Sequence, residues 1–389
     1  MYKIFLWLLI IIFLLILFKL LKIKNNYIIC LIISIFIILF IVNIKISLRA
    51  SIAGAILWFK AILPTSFPFA VACNLLISYD GISLYSKVLG PLVCKPLNLS
   101  ENSSFPLAVS FLCGYPLGGK FTSDTYELGY IERDEFLRLI SIATNCGPLF
   151  IIGTVGCSML NNIEFGYLLL IANYLSIILI GLFTKKKIRS PHYSKKVDLI
   201  NNKNINFGSA LKKALEDGIN TVLAIGGFII LFSVLITIIK NSSSITLLFH
   251  KIEQILNLKS NSLYSLFLGS IEITNGCNLI ATSNLSIPIK LSCISFLCSF
   301  SGLSIIAQCY SFFAKHNISL LRYFLLKLLQ GVLSFFITFI CSNLFLGSTF
   351  TSTIPSSYSL SYIAYFIPLI ILLLIALIGK IISKLLHSL

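Results

Sequence analysis

Apolar blocks long enough to cross a bilayer recur from one end of the chain to the other. About 20 apolar residues span a typical hydrocarbon core as a helix. Of the 389 residues, 57% are hydrophobic and only 11% are charged, whereas a soluble domain carries about 25% charged residues. A membrane β-barrel would instead show segments of roughly 10 residues with alternating polarity. The sequence therefore predicts an all-α polytopic membrane protein with about eight to ten membrane elements, some of them re-entrant.

The formal charge of +17 is interpreted as a topology signal and not as a nucleic-acid-binding signal. Segment 185–213 holds nine Lys or Arg, with Asp198 as its acidic residue. Loops rich in Lys and Arg lie preferentially on the cytoplasmic side of the membrane. We predict a cytoplasmic loop here; the alternative is a phosphate- or nucleic-acid-binding segment. The lipid bilayer is the expected surrounding, and no nucleic-acid partner is expected.

The predicted parts of the chain follow from where the apolar blocks lie. The first two blocks, Leu6–Leu21 and Tyr27–Ile44, are separated by lysines and not by a small-residue cleavage site, which favours a retained hairpin over a cleaved signal peptide. We predict an N-terminal transmembrane hairpin at 1–48, a first repeat at 49–184, a basic cytoplasmic loop at 185–214, a second repeat at 215–346 and a C-terminal transmembrane helix at 347–389.

The two predicted repeats share landmarks in the same order. Asn102-Ser103 and Asn261-Ser262 each open an apolar stretch that ends in a glycine-containing polar kink, and a second kink follows each of these about 26 to 29 positions later. The four kinks are Gly114 to Lys120, Asn145 to Pro148, Glu272 to Gly276 and Ser301 to Ser304. Matching interrupted helices in two halves point to a transporter binding site, because they expose backbone N–H and C=O groups at membrane depth.

Glu272 is the strongest single signal among the kink residues. It lies in the middle of an apolar block, where a carboxylate is expensive whether it is charged or neutral. Such residues usually face a cavity and bind a proton, a cation or a substrate. The alternative is a structural hydrogen bond to a neighbouring helix.

Lys120 ends a Gly-Tyr-Pro-Leu-Gly-Gly-Lys motif. Because Pro116 breaks the helix, this motif is suited to presenting backbone N–H groups and an ammonium to an anion. The alternative is a lysine at a helix end that reaches the membrane interface. Gln308, four positions after Ser304, shares its helical face. The predicted substrate-binding set is Gly114, Tyr115, Pro116, Gly118, Gly119, Lys120, Thr144, Asn145, Gly147, Glu272, Thr274, Asn275, Gly276, Ser301, Gly302, Ser304 and Gln308.

Signatures of enzymes and of metal sites are missing from the sequence. It contains no GxSxG, HExxH or P-loop, and its eleven cysteines form no CxxC pair or Cys/His metal spacing. Most cysteines lie in apolar blocks, which indicates small buried side chains. No catalytic residue, metal ligand or cofactor is therefore predicted. A membrane-embedded enzyme would need an acid/base partner for Glu272, and none is evident in the sequence.

Four segments of the chain, taken in order, resemble one family. They are Ser110–Lys120, Thr144–Phe150, Glu272–Cys277 and Phe300–Ile305. They are similar to the sporulation integral membrane proteins of the YlbJ type, also called stage V sporulation protein V. The resemblance covers roughly residues 50–345. Gly119 departs from it, since alanine is usual there.

The resemblance implies two nucleoside-recognition or Gate domains, a type distantly related to concentrative nucleoside transporters. It also implies a role in endospore formation, moving dipicolinic acid across the outer forespore membrane. A site of helix N-termini, amides, hydroxyls and a lysine suits this small dicarboxylate. Glu272 would then be a coupling or gating carboxylate for a proton or sodium ion, and Lys120 would hold a substrate carboxylate. The alternative is a non-transporting membrane scaffold for assembly of the spore envelope.

Overall fold

The computed structural model describes residues 25–185 and 206–346, and every regular element in these ranges is a helix. The first helix of the predicted N-terminal hairpin, most of the basic loop and the predicted C-terminal helix lie outside the described residues. Within the described ranges, the all-α prediction is confirmed.

The first half contains two π-helical segments and ends in a long uninterrupted helix. Its helices are α1 (Asn25–Val42), α2 (Ile44–Leu57), a π-helical segment (Trp58–Ile62), α3 (Leu63–Ser78), α4 (Gly81–Val88), α5 (Gly90–Leu97), a 3₁₀ turn (Glu101–Ser103), α6 (Ser104–Cys113), α7 (Leu117–Glu127), α8 (Arg133–Ile142), a second π-helical segment (Leu149–Met159) and α9 (Ile163–Phe183).

The second half repeats this order in a simpler form. Its helices are α10 (Phe207–Lys240), α11 (Ser243–Ile255), α12 (Ser262–Ile271), α13 (Ile273–Ala281), α14 (Ile287–Phe300), α15 (Gly302–Phe313), a 3₁₀ turn (Ala314–His316) and α16 (Leu320–Leu346). Each half thus contains a pair of short helices, then an interrupted helix, then an uninterrupted span. The common ancestry of the halves stays a prediction.

Five helical stretches of the described residues have the length and composition to cross a membrane. They are Ile44–Ser78, Ile163–Phe183, Phe207–Lys240, Ile287–His316 and Leu320–Leu344. Shorter apolar helices add Asn26–Val42, Leu149–Met159 and Ser262–Ile271. Large apolar side chains are exposed along α1, α2, α10 and α16, as expected for surfaces that face lipid. The chain is a polytopic α-helical membrane protein.

One predicted boundary differs from the structure. α10 begins at Phe207, so residues 207–214, predicted as the end of the basic loop, are helical. The Asn206 side chain accepts a hydrogen bond from the Gly208 N–H at 2.9 Å and caps the helix. The charge of Lys212 and Lys213 was interpreted as part of the loop, but both residues lie on the helix that Asn206 caps.

Two tight helical pairs, α6–α7 and α12–α13, occupy equivalent places in the two halves. Glycines allow the arms of each pair to approach. A Cβ built on Gly118 would lie 2.2 Å from the carbonyl oxygen of Ala143 and 2.7 Å from Cβ of Ser110. A Cβ built on Gly276 would lie 2.1 Å from Cα of Gly269. Both distances are far below van der Waals contact, so no larger residue fits at either position.

A buried or half-buried carboxylate holds the N-terminus of the first arm of each pair. Glu253, 1% exposed, accepts backbone N–H groups of Asn261, Leu263 and Tyr264 at 2.8 to 3.1 Å. In the first half, Glu135 accepts the Ser100 N–H and the Ser103 hydroxyl. A carboxylate at a helix N-terminus satisfies free N–H groups and complements the helix dipole. These two glutamates therefore fix where the paired helices begin.

The two halves share one hydrophobic core. Cys146 from the first half and Cys277 and Cys298 from the second lie in the same cluster of buried residues, together with Tyr115 at its edge. The second arm of each pair packs against the interrupted helix of the other half: α7 contacts α15, and α13 contacts the π-helical segment 149–159. This reciprocal packing brings the interrupted segments of both halves into the protein interior.

Candidate functional site

The first break lies between α8 and the π-helical segment that begins at Leu149. Here the tip of the α6–α7 pair meets the kink: the Tyr115 N–H donates to the Asn145 carbonyl oxygen at 2.6 Å. A Cβ on Gly114, whose φ is +80°, would lie 2.5 Å from the Gly147 nitrogen. Pro116 then precedes the first turn of α7. The structure thus brings together Gly114, Tyr115, Asn145 and Gly147, all in the predicted set.

Asn145 is the centre of a buried hydrogen-bond network at this break. Its Nδ2 donates to the Ser110 hydroxyl at 3.2 Å and to the Ile142 carbonyl oxygen. Its Oδ1 accepts from Nε2 of Gln330 at 3.2 Å. Asn145 and Gln330 are both fully buried. The side chain therefore joins α6, α8 and α16, and it satisfies backbone groups that the break leaves without helical partners.

Lys327 is a functional candidate that the sequence analysis did not single out. It lies on α16 and is 0% exposed. Its Nζ donates to the Thr144 carbonyl oxygen at 2.6 Å and to Oε1 of Gln330 at 2.6 Å. Tyr323, one turn earlier, donates its hydroxyl to Oγ1 of Thr144 at 3.0 Å. Two side chains of α16 thus hold the residue at which α8 is interrupted.

These residues belong to a polar stripe along the buried face of α16. Its members, spaced three or four positions apart and almost fully buried, are Tyr323, Lys327, Gln330, Ser334, Thr338 and Ser342. Ser334 and Thr338 both contact the Ser295 hydroxyl of α14 at 2.7 Å. The stripe has the 3.6-residue period that predicts one face of a helix. Applied to the polar residues of this span, that test would have found Lys327 from the sequence.

The second break separates α14 from α15 and has a simpler chemistry. Ser301 and Gly302 both have positive φ values, +79° and +73°. A Cβ on Gly302 would lie 3.1 Å from the Gly269 carbonyl oxygen, so the break packs against the α12–α13 pair. Near it, Nδ2 of Asn173 on α9 donates to the Ser299 hydroxyl at 3.0 Å. The predicted common face of Ser304 and Gln308 is confirmed by a 3.3 Å hydrogen bond between their side chains.

Glu272 has a structural explanation at the tip of the α12–α13 pair. Its carboxylate accepts the backbone N–H groups of Thr274 and Asn275, both at 2.9 Å, and Nδ2 of Asn275 at 2.8 Å. Oδ1 of Asn275 in turn accepts from Nζ of Lys240 at 3.1 Å. Glu272 is therefore the N-cap of α13, and the three N–H donors around its carboxylate stabilise it without any bound ligand. This geometry favours the structural alternative, while the coupling role stays a prediction.

Lys120 lies in a separate cavity of about 400 Å³ between α3, α7, α10 and the end of α15. Its Nζ contacts Oδ2 of Asp124 at 2.5 Å and Oδ1 of Asn74 at 3.0 Å. Both lysines and carboxylates line the wall, including Asp217 and Lys315. The ammonium predicted to bind an anion thus already has a carboxylate partner. Gly119, next to it, faces Cγ2 of Thr144 and Cys309 of α15.

The chain is similar to a sporulation membrane protein. It is 28% identical over 306 residues to the sporulation integral membrane protein YlbJ of Bacillus subtilis (strain 168), an alignment that covers 74% of this chain and 75% of that protein. No family model matches the chain, and no solved structure matches it. The similarity supports a membrane role in sporulation.

The two breaks differ in the polar groups that they offer to a ligand. Interrupted helices in both halves place backbone carbonyls and N–H groups inside a membrane protein, where buried side chains satisfy them. At the first break those side chains include the Lys327 amine, and at the second they are neutral amides and hydroxyls. Both breaks therefore offer hydrogen-bond partners to a polar ligand, and a protonated Lys327 would add positive charge at the first.

Proposed function

We propose that the protein is a secondary-type transporter or facilitator for dipicolinate, which it moves across the outer forespore membrane during endospore formation. The similarity to a sporulation integral membrane protein supports the cellular setting. The resemblance of the four kink segments to the same family supports the substrate. No chemical conversion of the substrate is proposed.

The observation that carries this proposal is the pair of interrupted helices, each packed against a short helical pair, in the interior of a polytopic membrane protein. Broken helices at membrane depth are tolerated where they contact protein, water or a ligand, and in transporters they build the binding site. Polar groups gather at the breaks, and Thr144, Asn145 and Lys327 among them are buried. A scaffold that acts through its surface does not need such buried polar groups.

The roles of individual residues follow from their surroundings. Dipicolinate is a small planar dianion, so it needs cations and N–H donors at two ends. The first break offers a lysine and amides, and Lys120 lies in a separate charged cavity. We propose a proton or a sodium ion as the coupling ion.

Uptake of labelled dipicolinate into proteoliposomes that contain the purified full chain tests the proposal. Proteoliposomes with wild-type protein should accumulate or equilibrate dipicolinate faster than empty liposomes. Uridine, a nucleoside that the resemblance to nucleoside-recognition domains suggests as a ligand, should not compete. Lys120→Ala shows whether the charged cavity lies on the route. Imposed proton or sodium gradients identify coupling. Absence of uptake by well-folded protein would overturn the transport proposal and favour the scaffold.

A further inference from the structure

A cavity of about 200 Å³ between α8 and α16 leads toward the first break. Arg133 and Arg322, both exposed, line it together with Ser141 and Tyr323, both buried. The Ser141 hydroxyl is buried, and among the described residues it has no hydrogen-bond partner. The cavity wall therefore includes two arginines exposed at the protein surface and two buried residues that carry hydroxyl groups.

Tyr323 connects this cavity to the polar network of the first break. Its hydroxyl is 3.0 Å from Oγ1 of Thr144, and the Thr144 carbonyl oxygen is 2.6 Å from Nζ of Lys327. Tyr323 and Lys327 are four positions apart on α16 and therefore share one face of the helix. Lys327 consequently lies one helical turn farther along the buried stripe than the wall of the cavity.

Lys327 lacks a compensating charge. No ion pair among the described residues includes it, and its two acceptors, a backbone carbonyl and an amide oxygen, are neutral. In its protonated form a lysine has three N–H donors, so these contacts then leave one uncommitted. A charged group in the interior of a membrane protein is costly unless an opposite charge accompanies it. An anionic ligand would supply that charge.

We propose that Lys327 receives one carboxylate of a dicarboxylate substrate, and that the cavity lined by Arg133, Arg322, Ser141 and Tyr323 is the route by which the anion reaches it. This inference rests on the proposed function and adds to it the charge-selecting residue. The arginines attract the anion at the surface, and Ser141 and Tyr323 form the buried end of the wall. Binding then exchanges a neutral partner of Lys327 for a carboxylate.

The competing explanation is that Lys327 only satisfies the Thr144 carbonyl left free by the break. The two explanations differ in ligand charge. A binding lysine makes a dianion bind better than the matching monoanion, whereas a structural lysine affects both equally. Dipicolinate and picolinate form such a pair, since they share the pyridine ring and differ in one carboxylate.

The experiment compares binding of dipicolinate and picolinate to detergent-solubilised full chain, wild type and Lys327→Met, beside uptake in proteoliposomes. Lys290→Met is the matched control, because Lys290 also donates to one backbone carbonyl, that of Ala281 at 2.9 Å, but lies on the distant α14 terminus. We expect Lys327→Met to weaken dipicolinate binding about 30-fold or more, as loss of a charge-assisted hydrogen bond predicts. Picolinate binding should change much less.

Two exposed positions keep the test valid should Lys327→Met fail to fold. Arg133→Gln and Arg322→Gln remove charge from the surface end of the cavity without touching the core, and together they should raise the KM for dipicolinate about threefold to tenfold at low salt. Unchanged KM in the double variant would overturn the route. A well-folded Lys327→Met protein with wild-type preference for dipicolinate over picolinate would overturn the role of Lys327 even if transport stands. Dicarboxylate binding that depends on Lys327 without any uptake would support the site and overturn transport.

Discussion

The break at Asn145 and the break at Ser301 have the same architecture and different chemistry. Each interrupts a helix that packs against a short helical pair, and each receives a polar side chain from the long span of the opposite half. At the first break that span, α16, contributes a buried lysine and a glutamine. At the second, α9 contributes the neutral Asn173, which reaches Ser299.

This difference shows that one backbone arrangement supports two kinds of site. The first break is a connected network in which Lys327, Gln330 and Asn145 depend on one another. The second rests on single hydrogen bonds and on glycine packing. A buried charge is tolerated only where several partners surround it. Our proposal therefore assigns anion recognition to the first break and a structural role to the second.

The largest expected effect is loss of folded protein when a methyl group is added between the arms of either helical pair. Gly118→Ala and Gly276→Ala place Cβ 2.2 Å and 2.1 Å from backbone atoms, which cannot move aside as a side chain can. We expect each to destabilise the protein by about 3 kcal/mol or more. Yield of monodisperse protein and thermal unfolding in detergent measure this.

The controls for this prediction are two glycines with room for a methyl group. A Cβ on Gly227, in the middle of α10, meets nothing within 4 Å, and one on Gly119 meets only side chains, of which the nearest is Thr144 at 3.2 Å. Gly227→Ala should be neutral or stabilise by up to about 1 kcal/mol, the helix-propensity difference. Gly118→Ala or Gly276→Ala protein as stable as these controls would mean that the two pairs are not packed as described.

The second effect separates the two breaks by their networks. Asn145→Leu removes three side-chain contacts and leaves Nε2 of the buried Gln330 and the Ser110 hydroxyl without the partner that Asn145 provides, at an expected loss of about 2–4 kcal/mol. Ser299→Ala removes one hydrogen bond from Asn173, at about 1 kcal/mol. Chemical unfolding in detergent measures both. Equal losses would contradict the asymmetry between the breaks.

The third effect concerns Glu272. Glu272→Gln keeps one oxygen able to accept the N–H groups of Thr274 or Asn275, so the helix cap should weaken by only about 0.5–1 kcal/mol. Dipicolinate uptake and its pH profile should match those of wild type if Glu272 is purely the cap. Stable Glu272→Gln protein with impaired or pH-shifted uptake would instead support the coupling role predicted from the sequence, and would make the second break chemically active.

Sequence reasoning found the membrane class, the interrupted segments and most residues of the first break, because apolar length and glycine- or proline-containing kinks are local signals. It missed Lys327, because a single lysine in an apolar span resembles one that reaches the membrane interface. Lys327 and Thr144 are 183 positions apart, and nothing local in the sequence reports a contact between them. The capping role of Glu272 was missed for the opposite reason: its partners are its neighbours in sequence, yet only the bend before α13 turns the carboxylate toward them.

The smallest effect lies where the halves meet at the protein surface. Glu127, at the end of α7, contacts Nζ of Lys315 at 2.6 Å and Nε2 of His316 at 3.1 Å, beyond the end of α15. Partial burial opposes the change, but hydrogen bonds from Lys315, Ser123 and His316 hold the pKa of Glu127 below its ordinary value. A lowered pKa means that the carboxylate stabilises the folded state above the unfolded-state pKa, about 4.3, and that this contribution is lost as pH falls through the folded-state value.

Between pH 6 and pH 3, wild type should therefore lose slightly more stability than Glu127→Gln, by about 0.5 kcal/mol or less, because the pair is partly exposed and screened. Thermal unfolding of both proteins across this range, at low and at high salt, makes the comparison. The difference should shrink at high salt. The second half offers no equivalent carboxylate at the end of α13, where Lys259 and Lys290 donate to backbone carbonyls. A difference that survives high salt would mean that Glu127 is held more firmly than its exposure indicates, and that the halves are also joined unequally at their surface.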